Sequence, residues 1–310
     1  QLLVDLLERE VAGAAPEPGA WRPAAAGLYD ALVRPLYAAG LERGMGLTIV
    51  PMGPLHQLPW AALHDGTGGD GGFLIEDHVV TSAPSARVLL RRASGADGRV
   101  ALAVERGVDG PALPEAVAEA GDVASAIGAD LVVGPSATEL AARRAFPAEL
   151  VHLAIHGQVE PESPLFSSLS FAPGAAHAAG GQHDGRLTVR EILDLDARSE
   201  LLVLSSCRGS ASFTPRGEDW SRPGVGLADA FLAAGSRRVL SSRLAVSDAG
   251  ARRLMGDFYR ELRRYPPAVA LNRAQRRGAE GEQGLAWIGF GLSGALPEPT
   301  GSTVLSVGGQ

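Results

Sequence analysis

Short apolar segments alternate with helical patterns through the second two-thirds of this 310-residue chain. Apolar runs that predict strands occupy residues 100–104, 131–133, 150–155, 201–204 and 238–242, and Trp287–Phe290 predicts a last strand. The segments between the runs have the apolar spacing of amphipathic helices. Because strands that alternate with helices form parallel sheets covered on both faces, we expect an α/β fold with three layers and a mostly parallel sheet.

The composition excludes several classes of protein. The chain is 45% hydrophobic and 20% charged, which is typical of a globular protein. Its formal net charge of −7 argues against a basic nucleic-acid binder, so we expect no direct nucleic-acid partner. No apolar run is long enough to span a membrane, and we expect no membrane partner. All 28 basic residues are arginines, which excludes a catalytic lysine.

Cys207 is the only cysteine of the chain, and His156 is its most suggestive companion. One cysteine cannot form an internal disulfide, so we expect a cytoplasmic protein. Sites in parallel sheets lie beyond the carboxyl ends of the strands. His156 follows the run 150–155 and Cys207 follows the run 201–204, which predicts that both residues lie at one edge of one sheet.

These residues have the chemistry of a cysteine protease. A thiol becomes a good nucleophile beside an imidazole, which takes its proton and later protonates the leaving amine. Gly157 and Gly209 permit tight turns whose N–H groups can bind an oxyanion. Cys207 lies 51 residues after His156, and caspases have their histidine about 50 residues before their cysteine. The other interpretation is that Cys207 is a small buried hydrophobic residue.

Longer sequence blocks resemble the CHAT domain, a family of caspase-like cysteine peptidases related to separase. The blocks include LHQLPWAAL at 55–63, VHLAIHG at 151–157, LVLSSC at 202–207 and GLADAFLAAG at 226–235, and they are in the order that the family has. The resemblance implies a caspase-like fold without a metal or cofactor. It also implies that His156 is the general base and acid and Cys207 the nucleophile. The N–H groups of Gly157 and Cys207 would form the oxyanion hole.

The resemblance further implies a division of the chain. The family commonly has a caspase-like half without catalytic residues, followed by an active half. Ser94–Gly98 is the best candidate for a linker, because it is polar and rich in glycine. We therefore expect a smaller pseudoprotease half at 1–95 and a catalytic half at 96–310.

Substrate-binding residues are also implied by the resemblance. The candidates are Ser205, Ser241, Ser242, Arg243 and Asp248. Arg243 and Leu244 stand where family members often have an aromatic residue and a proline. Asp248 either caps a helix or forms the floor of a pocket for Arg or Lys at the cut. Glu218 and Asp219 are alternatives for that second role.

The predicted function is cleavage of a protein substrate by a cysteine endopeptidase. The family resemblance implies regulation by an upstream repeat or sensor region or by an activating partner, and a role in bacterial defence or cell death. The absence of an initial Met fits such an upstream region. Arg216 and Arg222 make the loop 210–223 a candidate for self-cleavage.

Two alternatives remain from the residues themselves. The first is a pseudoprotease scaffold that binds a partner protein without turnover. The second is a zinc hydrolase with His152, His156 and Cys207 as ligands. Against the zinc site stands the interpretation of His152 as a hydrogen-bonded histidine of the core.

Overall fold

The structure is a computed structural model. It describes residues 2–11, 17, 19–67, 72–91, 96–110, 112–160, 162–174, 183–206, 225–281 and 285–295. Cys207, Gly209, Glu218, Asp219 and the loop 210–223 lie outside the described residues.

The described part contains strands and helices in regular alternation. The strands are β1 (Leu47–Ile49), β2 (Val80–Ser82), β3 (Arg99–Ala103), β4 (Asp130–Val133), β5 (Leu150–Ala154), β6 (His156–Gln158), β7 (Ser168–Ser170), β8 (Arg186–Thr188), β9 (Leu201–Ser205), β10 (Arg238–Ser242) and β11 (Phe290–Gly294). The α-helices are α1 (Leu2–Val11), α2 (Arg22–Leu32), α3 (Arg34–Ala38), α4 (Leu74–Asp77), α5 (Ala86–Leu89), α6 (Ala116–Ile127), α7 (Glu139–Ala145), α8 (Val189–Leu193), α9 (Leu227–Ala234), α10 (Asp248–Leu262), α11 (Pro267–Glu280) and α12 (Ala286–Gly289).

Eight strands form one large sheet in the order β1-β2-β11-β10-β9-β5-β3-β4. Neighbouring strands pair in parallel except β10 and β11, which are antiparallel. Strands β5, β9 and β10 are buried along their whole length, which explains their continuous apolar sequences. The predicted α/β fold with a mostly parallel sheet is confirmed.

Helices cover both faces of this sheet. Apolar side chains of α6, α10 and α11 pack on one face, against alternate residues of the central strands such as Ala154 and Val203. Side chains of α7, α8 and α9 pack on the other face, against the intervening residues such as Leu153 and Leu204. The two faces of each strand therefore contribute to separate cores, as expected for three layers.

Strands from the first 95 residues extend the same sheet. β2 pairs with β11 at Ser82 and Ser293, whose hydroxyl groups are 2.8 Å apart. Phe73 also packs edge-on against Trp287, with their ring centroids 5.0 Å apart. The division of the chain into halves at residue 95 stays a prediction.

The strand expected at Trp287–Phe290 is wrong in position. Residues Ala286–Gly289 form helix α12, and strand β11 begins only at Phe290. Gln275 of α11 donates to the carbonyl oxygens of both Trp287 and Phe290, at 2.8 and 2.9 Å. These two hydrogen bonds stabilise the backbone where helix α12 ends and strand β11 begins. Gln275 is more than ten residues away from both partners, so a local sequence pattern does not predict them.

Candidate active site

The strands that precede the two candidate catalytic residues, β5 and β9, end at one edge of the sheet. Ala154 and Ser205, the last residues of these adjacent parallel strands, are direct partners in the register. His156 comes two residues after Ala154, and Cys207 comes two residues after Ser205. Adjacent strands are about 4.8 Å apart, so the chain leaves the sheet at neighbouring points before each candidate residue.

His156 lies in a second, smaller sheet above that edge. This sheet has the order β6-β7-β8 and is antiparallel throughout. His156 is the first residue of β6 and is partly exposed. Gly157, the expected oxyanion donor, follows it in β6 and pairs with Leu169 of β7.

The loop after β3 lies against the ring of His156. Gly110 in this loop has φ +89°, a conformation that suits glycine. A Cβ atom added to Gly110 would lie 3.0 Å from Cδ2 and 3.1 Å from Cγ of His156. The backbone of Gly110 therefore packs directly on the imidazole, at a distance that other residues would not permit.

Asp248 is the first residue of helix α10, and of the two alternatives for this residue the helix cap is wrong. Ser247 is the cap, because its side chain accepts a hydrogen bond from the N–H of Gly250 at 3.2 Å. The Asp248 carboxylate instead accepts from the N–H of Glu115, at 2.7 Å. The residue therefore reaches across to the segment that begins α6.

Asp248 has acidic neighbours, and its carboxylate is influenced by His156. Partial burial raises the pKa of Asp248, the hydrogen bond from Glu115 lowers it, and the charges of Glu119 and Glu115 raise it further. The charge of His156 lowers the pKa of Asp248, so the two side chains are close enough to interact electrostatically. Arg252 contacts Glu115 at 2.6 Å and offsets part of this negative charge.

The other expected substrate-binding residues are placed differently. Ser205, Ser241 and Ser242 are buried in β9 and β10, and the Ser242 hydroxyl donates to the carbonyl oxygen of Leu244 at 2.7 Å. Arg243 extends toward the first 95 residues, where its Nη2 donates to Ser82 Oγ at 2.7 Å. Their part in substrate binding stays a prediction.

His152 lies on the same strand face as Ala154 but is completely buried. Its Nδ1 is 3.1 Å from the hydroxyl of Tyr259, and its Nε2 is 3.1 Å from a carboxylate oxygen of Glu119. The second contact is close but poorly aligned for a hydrogen bond, so we describe it as electrostatic. Among the described residues, no cluster of three metal-ligating side chains occurs, and His152 has the contacts of a core histidine.

The sequence interpretation missed Asp109 and Gly110 beside His156. They follow β3, and a ligand site beyond the carboxyl ends of parallel strands includes this loop. Their position after β3 could therefore have identified them as candidate site residues, although an Asp-Gly pair is not by itself a catalytic motif.

No helix in the described ranges combines the length and apolar character needed to cross a membrane.

Comparisons with known proteins agree with this geometry. The family model described as the CHAT domain matches residues 22–295. No curated protein matches the sequence significantly.

Two solved structures of separase have a similar fold. In the 2.6 Å structure of the Saccharomyces cerevisiae separase–securin complex, the similar chain has 14% identity and a TM-score of 0.53, with 81% of this chain and 16% of that chain covered. The 3.0 Å structure of that complex gives 16% identity, a TM-score of 0.52 and coverage of 81% and 15%. The Arg-specific cysteine proteinase gingipain R gives 12% identity, a TM-score of 0.45 and coverage of 70% and 54%.

The present chain thus spans a small part of the separase chains that it matches. The likeness to separase shows the fold of the caspase-like cysteine peptidases. The family match extends over most of the sequence, and the chain therefore belongs to the CHAT domain family.

Proposed function

We propose that this protein is a cysteine endopeptidase that uses His156 and Cys207 as a catalytic dyad. The observation that carries the proposal is the pairing of Ala154 with Ser205 at the ends of adjacent parallel strands. The two candidate residues follow these positions at equal distance along the chain. The partial exposure of His156 supports its role, because a general base must reach the substrate.

The proposed reaction has two stages. His156 takes the proton of the Cys207 thiol, and the sulfur attacks the carbonyl carbon of the scissile amide. The N–H groups of Gly157 and Cys207 bind the resulting oxyanion. His156 then protonates the leaving amine and a thioester remains. A water molecule, deprotonated by His156, attacks the thioester, and the proton returns to the released thiolate.

We further propose that Asp248 selects Arg or Lys on the amino-terminal side of the cut. Its carboxylate is partly buried, is influenced by the charge of His156 and has Glu115 and Glu119 near it. A positively charged side chain in this pocket would relieve the repulsion among the acidic groups. Glu218 and Asp219 remain the alternative determinants.

A peptide-library cleavage assay tests both proposals. We expect Cys207→Ala and His156→Ala to abolish cleavage, and the control His183→Ala to retain it, because His183 pairs with Glu139 rather than with the candidate dyad. Asp248→Asn should lower kcat/KM for Arg and Lys peptides by roughly 10–100-fold, since a hydrogen bond to a charged group contributes about 1.5–3 kcal/mol.

Other outcomes of this assay would contradict the proposals. Cleavage that persists in Cys207→Ala or His156→Ala would exclude the dyad. A preference for apolar or acidic residues in the intact protein would exclude the basic pocket. A protein that binds its partner and hydrolyses nothing would support the pseudoprotease scaffold.

We infer that the substrate and the regulator are proteins. The similar separase structure is a complex with securin, which is a protein partner of that enzyme. An upstream repeat or sensor region, an activating partner and a role in bacterial defence or cell death remain expectations from the family resemblance. A cytoplasmic location remains the expectation from the single cysteine.

A further inference from the structure

One rung of the small sheet connects His156 to two polar side chains. His156 of β6 pairs with Ser170 of β7, and Ser170 pairs with Arg186 of β8. Residues directly opposite each other in antiparallel strands project to the same face. The three side chains therefore project together toward one side of the small sheet.

The middle residue of the rung holds the backbone of Asp109. Ser170 Oγ accepts a hydrogen bond from the N–H of Asp109 at 2.9 Å and donates to its carbonyl oxygen at 3.2 Å. The N–H of Val108 also donates to the carbonyl oxygen of Phe171, at 3.0 Å. The loop after β3 is thus attached to the end of β7 through the backbone groups of two consecutive residues, Val108 and Asp109.

The outer residue of the rung holds the side chain of Asp109. Arg186 Nη2 donates to Oδ1 of Asp109 at 2.7 Å, and its Nε lies 2.6 Å from Oδ2. The guanidinium is half exposed while the carboxylate is largely buried. The contact of Nη2 with Oδ1 is a hydrogen bond, whereas that of Nε with Oδ2 is an ion pair without hydrogen-bond alignment. Together the two contacts hold both oxygens of the carboxylate.

The residue after Asp109 is the glycine that packs on the imidazole. Three ring atoms of His156 lie within 3.0–3.3 Å of the position that a Gly110 Cβ would occupy. A displacement of Asp109 would move Gly110 with it, because the two residues share a peptide unit. Loss of the contacts that Ser170 and Arg186 make with Asp109 would therefore change the packing of Gly110 on the ring of His156.

We propose that Asp109 is a positioning residue for His156, with Ser170 and Arg186 as its anchors. The inference rests on the proposed role of His156 as the general base. Asp109, fixed at its backbone and at its carboxylate, holds Gly110 against one face of the imidazole. The contact restricts the rotation of the ring, which a general base needs in order to meet its partner in a fixed geometry. Such restriction matters because misplacement of a catalytic group by about 1 Å can lower a rate by about 100-fold.

A double-mutant cycle tests the connection. We expect Asp109→Ala and Arg186→Ala each to lower kcat for a cleaved peptide about tenfold and to leave KM within about twofold, because binding contacts remain. The double variant should be no slower than either single variant, since both act through the same contact. Arg186→Lys should recover only part of the rate, because an ammonium group is a point charge that does not reach both carboxylate oxygens as the guanidinium does.

A spectroscopic measurement in the same variants does not depend on turnover. The Cδ2–H NMR signal of His156, assigned by its loss in His156→Gln among the seven histidines, reports on the packing of Gly110. It should move in Asp109→Ala and in Arg186→Ala. The control is Asp196→Ala, which breaks an ion pair of the same type with Arg198, Nε to Oδ1 2.7 Å, on the exposed surface. That variant should leave both the signal and kcat unchanged.

The positioning role of Asp109 and the proposed catalytic dyad are contradicted by different results. A His156 signal that keeps its position in Asp109→Ala overturns the positioning role, and so does a displaced signal with unchanged kcat. Additive losses in the double variant would also contradict the shared contact. If His156→Ala retains cleavage, the proposed dyad fails instead, while the NMR result still reports whether Asp109 controls the ring.

Discussion

Two histidines four residues apart have different surroundings. His152 is completely buried between Tyr259 and Glu119, whereas His156 is partly exposed beside Gly110. The sequence shows only that both point to one face of a strand region, so it left a shared zinc site open. Burial separates their roles, because a fully enclosed imidazole cannot reach a substrate.

His152→Leu should lower the free energy of unfolding. It leaves the Glu119 carboxylate and the Tyr259 hydroxyl buried without the imidazole, and a buried polar group that loses its partner costs about 1–3 kcal/mol. Urea denaturation measures the change. The double variant His152→Leu/Glu119→Leu should recover much of the loss, and equal stability of the wild type and His152→Leu would contradict this account.

Asp248→Asn should stabilise the protein at neutral pH. Burial and acidic neighbours raise the pKa of Asp248 in the folded chain, so ionisation of the carboxylate opposes folding. A group with a raised folded pKa contributes its full stability below its unfolded pKa and loses it as pH rises through the folded pKa. The melting temperature of Asp248→Asn should exceed that of the wild type at pH 7, and the difference should shrink on acidification. A difference that is independent of pH would contradict the assigned burial.

At the scale of elements, sequence reasoning succeeded where each strand is buried on both faces. β5, β9 and β10 appear as continuous apolar runs, and their carboxyl ends gave the position of His156. The small sheet was mostly missed, because β6, β7 and β8 have only three residues each and pair across long sequence separations. The contacts of Asp109 with Ser170 and Arg186 depend on that pairing, so the sequence alone did not predict them.

The residues that cap helices α7 and α8 show how far a capping motif in the sequence predicts where a helix begins. Ser136 and Glu139 have the Ser-x-x-Glu spacing of a capping box, but the cap of α7 is Thr138, whose side chain accepts from the N–H of Ala141. Thr188 and Glu191 form a reciprocal capping box at α8. A capping box is recognised in a sequence by a Glu three residues after the cap. Helix boundaries inferred in this way are typically uncertain by one or two residues.

Arg243 connects the end of β10 to β2 and is expected to stabilise that contact. Burial lowers the pKa of Arg243 to about 10, while the charge of Asp229 raises it, and the side chain donates to Ser82. Arg243→Ala should lower the free energy of unfolding by about 1.5–3 kcal/mol, the usual contribution of a hydrogen bond to a charged group. Urea denaturation with the exposed-site control Arg190→Ala measures it, and an Arg243→Ala protein as stable as that control would contradict the link.

At the scale of the whole molecule, one sheet and shared cores join the first 95 residues to the rest. Trp21 and Trp60 belong to the same apolar cluster as Trp287 and residues of α10 and α11. The sequence indicated two halves from a linker composition, but composition cannot show that β2 would pair with β11.

The shared sheet predicts a single unfolding transition. Tryptophan fluorescence reports largely on the cluster around Trp21, Trp60 and Trp287, whereas far-ultraviolet circular dichroism reports on the helices of both faces. The two probes should give the same midpoint in urea, as in two-state unfolding. Separate midpoints would show that the segment 1–95 unfolds independently.

The most direct test of the proposed dyad is the alkylation rate of Cys207, measured by intact mass with iodoacetamide at neutral pH. Because the chain has one cysteine, each mass increment of the reagent reports on that residue alone. An imidazole that takes the thiol proton increases the thiolate fraction, so the wild type should react at least about tenfold faster than His156→Gln. Equal rates in the two proteins would contradict the pairing of His156 with Cys207.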